Sequence, residues 1–128
     1  MDALLQQWEE AYKKGLLSFW ILLLLSQDEK YAYEMRAAVE TISQGTMTAD
    51  DNSIYRTLRR FSEVGLIDST LAPSDIGPAR RYFRLTPKGR GLLAAFIRRN
   101  LLLFETSEVQ QAISNVLSAE SRGRKKGE

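Results

Sequence analysis

A mainly α-helical fold carrying one small β-hairpin is predicted by three features of this sequence. Apolar residues recur every three or four positions on both flanks of the chain. Between Leu66 and Thr86 the period falls to about two. Capping and turn residues at Asp50, Gly65 and Thr86-Pro87 sit where elements must start or stop. A length of 128 residues favours one domain with a modest core and helical surface to spare for a partner.

The first helix is expected over Leu4–Ser26, from Leu4, Leu5, Trp8, Tyr12, Leu16, Phe19, Trp20 and Leu23. Its second half, GLLSFWILLLL, is apolar nearly all round, which calls for burial on more than one side. Eleven residues fall short of the roughly 20 that span a bilayer. Asp2, Glu9 and Glu10 before the run also do not suit a secretory signal, so a cytoplasmic protein without a membrane span is expected.

A second helix follows over Tyr31–Ile42, with Tyr31, Met35, Ala38, Val39 and Ile42 on one face and Ser43–Gly45 as its end. Asp50 or Asp51 caps a third, which runs to about Val64 and stops at Gly65. Two strands, Leu66–Ala72 and Arg80–Thr86, flank the turn-rich tip PSDIGPA. Thr86 and Pro87 open a fourth helix carrying Leu92, Leu93, Phe96, Ile97, Asn100, Leu101, Leu103 and Phe104. Val109, Ile113, Val116 and Leu117 extend it or form another, and AESRGRKKGE reads as a disordered basic tail. Three helices and a hairpin describe a winged helix-turn-helix, here with N- and C-terminal helices whose surplus apolar surface suits dimerisation. The expected division is 1–88 for the winged helix with its N-terminal helix, 89–118 for a dimerisation helix and 119–128 for the tail.

Composition removes most enzyme chemistry. Neither cysteine nor histidine occurs, so thiol nucleophiles, Cys/His metal sites and imidazole-based triads are excluded. No Gly-rich phosphate loop is present, and no catalytic residue, metal or cofactor is expected. Charge is distributed unevenly. Residues 1–51 hold four basic and nine acidic side chains, residues 52–90 eight and three, and residues 91–128 six and four. The cationic middle third is what a polyanion-binding face leaves behind.

That third contains NSIYRTLRR, Asn52–Arg60. At 100° per residue, Ile54, Leu58 and Phe61 gather on one side, while Asn52, Ser53, Arg56, Arg59 and Arg60 face away. Arginine at such a position can donate two hydrogen bonds to guanine, asparagine can pair with adenine, and the helix's first turn favours phosphate. Alone, this face is more often what a solvated helix carries. Arg80, Arg81 and Arg84 supply a second basic cluster beside the hairpin tip, where a wing reaches the DNA backbone. Strand alternation puts Phe83 and Leu85 toward the core with Arg81, and Arg80 on the other face with Tyr82 and Arg84. Tyr55 falls at the edge between core and surface.

With YAYEM at Tyr31–Met35, NSIYRTLRRFSEVGLI at Asn52–Ile67 and GPARRYFRLTPKG at Gly77–Gly89, the chain resembles the PadR family of winged-helix transcriptional regulators, in its short form with one C-terminal helical extension. It departs from the usual pattern at Ala32 (commonly Gly), Asn52 (commonly Gly or Ala) and Phe61 (commonly Leu). The resemblance implies a homodimer on an operator in double-stranded DNA, with Tyr55 among the groups at the duplex. It also implies a C-terminal helix packed on the partner's first helix, for which Leu4, Leu5, Trp8, Leu93, Phe96, Ile97, Leu101 and Phe104 are the candidates. A small aromatic or hydrophobic effector that relieves repression would find walls in Trp8, Tyr12, Trp20, Phe96 and Phe104, although such aromatics serve more often as core or dimer contact, and one polar group in Asn100, which serves either to orient a ligand or to set dimer register. The alternative reading is a winged-helix module that binds protein instead of DNA.

Overall fold

Asp50 and Gly65 bracket the central helix in the way their chemistry dictates. In the computed structural model, which describes residues 2–127 and side chains to Arg124, the Asp50 carboxylate accepts the Ser53 N–H at 2.7 Å. Gly65 turns the chain at φ +80°, and Leu66 N–H closes back on the Phe61 carbonyl at 2.9 Å. The helix between them, α4 (Asp51–Glu63), buries Ile54, Thr57, Leu58 and Phe61. Ahead of it come α1 (Asp2–Lys14), α2 (Leu16–Gln27), β1 (Lys30–Tyr31) and α3 (Ala32–Ile42). After it come β2 (Ile67–Ala72), β3 (Arg80–Leu85) and α5 (Pro87–Phe96).

The core of this part joins Ile21, Leu22, Leu24 and Leu25 of α2, Met35 and Val39 of α3, Ile54, Leu58 and Phe61 of α4, and Leu66 and Ile67 at the wing's base. Its antiparallel sheet has the order β1-β3-β2, with β3 in the centre. The hairpin register pairs Ile67 with Leu85 and Ala72 with Arg80, and the short β1 pairs Lys30 with Phe83 and Tyr31 with Tyr82.

Thr86 and Gly89 weld the wing to α5. The Thr86 hydroxyl accepts the Gly89 N–H at 3.0 Å and donates to the Gly65 carbonyl at 2.7 Å. A Cβ at position 89 would fall inside the van der Waals shell of the Leu66 carbonyl, so only glycine permits this approach. The same closeness draws in Leu93, one turn further, to 5 % exposure. Leu93 therefore belongs to the chain's own core and is corrected from the expected subunit contact.

Three further differences from the sequence reading have local causes. The single helix expected over Leu4–Ser26 is broken at Gly15, which separates α1 from α2; glycine is among the weakest helix formers, and the apolar period alone does not register the break. Beyond α5, Ile97–Leu101 is a π-helical turn and Leu102–Glu105 a 3₁₀ turn, so the apolar run there is no uniform helix. Lastly, α6 (Ser107–Gly127) continues through the segment expected as a disordered tail. Thr106 receives the Val109 N–H at 3.3 Å at its start, and a Glu120–Arg124 pair at 3.0 Å spans a turn near its end.

Two compact units divide between Leu93 and Ala94. Among the described residues no helix is long and apolar enough to cross a membrane.

Candidate nucleic-acid interface

Burial of Ile54, Leu58 and Phe61 leaves the opposite side of α4 to solvent, and Asn52, Tyr55, Arg56, Arg59 and Arg60 are all exposed. With Asp50, the first four of these line one shallow concavity of about 470 Å³. A second, of about 590 Å³, is shared by Tyr55 and Arg59 of α4, Arg80, Arg81 and Phe83 of β3, Tyr31 of β1 and Tyr33 of α3. Tyr55 and Arg59 line both, so the polar face of α4 and the wing form one continuous basic groove. Tyr55 is 52 % exposed, which places it on the groove side and not as a lid on the core.

The arginines differ in what holds them. Arg56 donates to Ser53 Oγ at 3.3 Å, a long and exposed bond. Arg81 donates to Ser69 Oγ at 3.0 Å across the hairpin. Arg84 is tied by Asp68 Oδ1 at 2.7 Å and Thr70 Oγ1 at 2.9 Å. Arg60 turns away from the groove: it donates to Ser18 Oγ of α2 at 3.2 Å and lies over the Phe61 ring at 5.5 Å. Among the described residues, Arg59 and Arg80 have no hydrogen bond or ion pair to occupy their donors, although Arg80 does lie against the Tyr31 ring. Both line the groove, with the fixed planar fork that suits phosphate or guanine.

The first turn of α4 is less open to an anion than its sequence suggests, because the Ser53 N–H is already taken by Asp50. That bond, the Ser53 hydroxyl and the nearby Arg56 and Arg36 guanidiniums hold the Asp50 carboxyl below its ordinary value. Asp50 is thus an exposed anion at the groove's end, its carboxylate engaged as the cap of α4.

Tyr31 and Tyr33 were not visible as groove residues from helical period, which assigns Tyr31 to a core face. No periodic signal marks them, because Tyr31 ends the two-residue β1 and Tyr33 already lies in the first turn of α3. Tyr33 is exposed, and its ring lies parallel to that of Tyr31 at 6.3 Å.

The residues expected at a subunit contact or effector pocket fall in both units. Leu4, Leu5, Trp8 and Tyr12 are exposed along α1, with Trp8, Glu9 and Tyr12 lining a small concavity of about 250 Å³. In the second unit Phe96 and Phe104 are exposed, Ile97 and Leu101 are half-buried, and Asn100 donates to the Phe96 carbonyl at 3.1 Å. Trp20 is half-buried, its ring tilted against Phe19 at 5.1 Å.

The profile of the transcriptional regulator PadR-like family matches residues 21–95, the stretch from α2 through the groove and wing to α5. The chain belongs to the PadR-like family of transcriptional regulators. A PadR-like regulator from Bacillus cereus is 32 % identical, with 82 % of this chain and 94 % of that one covered and a TM-score of 0.62. A PadR family regulator from Eggerthella lenta, at 20 % identity, covers 91 % of this chain and 94 % of its own with a TM-score of 0.64. Bacillus subtilis PadR, solved in complex with operator DNA, is 20 % identical over 65 % of this chain and 46 % of that one, with a TM-score of 0.60. The last two likenesses are of fold. Membership makes this PadR-family chain a transcriptional regulator and not an enzyme.

Proposed function

We propose that this PadR-family protein is a dimeric, sequence-specific DNA-binding regulator in which α4 enters the major groove and the wing reaches the adjacent backbone. The observation that carries the reading is the shared groove, where Arg59 of α4 and Arg80 of the wing present guanidiniums whose N–H donors have no hydrogen bond or ion pair, beside exposed Asn52 and Tyr55. Asn52, Ser53, Tyr55, Arg56, Arg59, Arg80 and Arg81 form the proposed contact set. Arg60, turned to Ser18, acts instead as a brace between α4 and α2. Bacillus subtilis PadR in complex with operator DNA supports the choice of partner.

The dimer rests on exposed Leu4, Leu5, Trp8 and Tyr12, an apolar stripe on a helix that buries none of its residues. Exposed Phe96 and Phe104 extend the proposed contact to the C-terminal helices, which we assign to dimerisation. For a flat apolar effector whose binding would release a repressor from its operator, Trp8 and Tyr12 offer the walls of one small concavity on α1, and Phe96 and Asn100 are the candidates in the C-terminal unit. The protein acts with its DNA in the cytoplasm.

Fluorescence anisotropy on a labelled random-sequence duplex at several salt concentrations tests the DNA reading. Binding at low salt that weakens linearly in log–log form is expected, followed by enrichment of a two-fold-symmetric sequence in selection from a random pool. No binding at low salt, with capture of a protein partner through α1, would favour the protein-interaction module.

A further inference from the structure

We propose that Tyr31 is a positioning residue for the wing, its ring carrying the Arg80 guanidinium and aiming it at a DNA phosphate. The inference rests on the DNA-binding reading and adds to it a residue whose role is to hold another.

Arg80 is the first residue of β3, where the chain returns from the tip. Its backbone pairs with Ala72 of β2 on one side. On the other side β1 has already ended, since the register there is Lys30 with Phe83 and Tyr31 with Tyr82. No backbone pairing therefore holds the wing to the helical body at Arg80. The Tyr31 side chain bridges that gap, with the guanidinium carbon 4.5 Å from the ring centroid, within the range of a cation–π contact.

The ring that carries Arg80 is itself fixed. Tyr82, two residues along the same face of β3, meets it edge-on at 5.5 Å, and Tyr33 lies parallel to it at 6.3 Å with 6° between the planes. The Tyr31 N–H donates to Glu34 Oε1 at 3.0 Å, tying the backbone beneath the ring to the first turn of α3. A contact with the face of the ring leaves the in-plane N–H donors of arginine unengaged. Arg81 and Arg84, by contrast, are held through their N–H groups by Ser69, Thr70 and Asp68. Arg80 is therefore restrained without spending a donor, and it reaches a phosphate having less rotamer freedom to lose.

The test uses the full chain and a fluorescein-labelled random-sequence duplex, titrated at several NaCl concentrations. Tyr31→Phe, which keeps the ring face, should bind as wild type does. Tyr31→Leu should bind roughly two- to fivefold more weakly. Its log–log salt slope should fall toward that of Arg80→Ala, by about 0.9 for one phosphate contact. Adding Tyr31→Leu to Arg80→Ala should cost nothing further. Tyr31→Met, which fills the site without a π face, serves if Tyr31→Leu loses its helical circular dichroism. Wild-type slope in both apolar variants, or additive losses in the double variant, overturns the tether while leaving the function reading intact. Failure of wild type to bind at all removes both.

Discussion

Helices α1 and α4 are the same length, 13 residues each, and both carry apolar side chains at helical spacing. Their fates are opposite. Helix α4 buries Ile54, Thr57, Leu58 and Phe61 and turns its charges outward. Helix α1 buries nothing and leaves Leu4, Leu5, Trp8 and Tyr12 in solvent. The apolar requirement of one is met within its own chain, so what it offers is charge; the requirement of the other is unmet, so what it offers is hydrophobic area. On the proposed reading, the pair separates two partners of different chemistry, a polyanion at α4 and an apolar surface at α1.

The comparison can be broken first at the core. Leu58→Ala removes a side chain that is 1 % exposed and should cost about 2–5 kcal/mol in urea unfolding. Leu5→Ala on α1 should change the chain's own unfolding by less than about 0.5 kcal/mol. Equal losses would mean that α1 is as well packed as α4. At the next size of effect, Trp8→Glu should leave the circular dichroism intact and weaken self-association by at least about 2 kcal/mol in sedimentation equilibrium. An unchanged association constant would remove α1 from the interface.

Within α4 the arginines sharpen the contrast. Arg59→Ala should weaken binding to a selected operator by about 1–3 kcal/mol. Arg60→Ala, which loses its bond to Ser18, should affect unfolding by about 1 kcal/mol or less and DNA binding less than Arg59→Ala does. The smallest expected effect is a pH dependence. Because the Asp50 carboxyl is held below its ordinary value chiefly by the Ser53 N–H, its stabilising contribution is complete above the usual carboxylate range. It fades as pH falls through the lower folded-state value. The difference in thermal midpoint between wild type and Asp50→Asn should thus hold steady near neutrality and close in acid.

Much of this contrast is legible in the sequence. The cap at Asp50, the stop at Gly65 and the change of period after it are local signals, and they placed α4 and the wing within a residue or two. Strand β1 is not legible, because two residues carry no period and their partners in β3, Phe83 and Tyr82, stand far along the chain. The destination of Arg60 was hidden for a related reason. A helical wheel gives the direction of a Cβ, but a guanidinium four bonds further follows whatever stands nearby, here Ser18 of α2. Burial of Leu93 depended on Gly89 admitting the Leu66 carbonyl, a close approach that glycine allows but does not announce. The groove's arginine side was readable from charge; its tyrosine side required the fold.

The central claim is that Arg59 and Arg80 are the groups through which helix and wing meet a duplex. The measurement that reaches it most directly is the salt dependence of duplex binding by the Arg59→Ala/Arg80→Ala variant, set beside Arg60→Ala. A log–log slope reduced by about 1.8 in the double variant, for two phosphate-scale contacts, and unchanged in Arg60→Ala is the expected result. Equal slopes in wild type and the double variant, or a loss confined to Arg60→Ala, would contradict it.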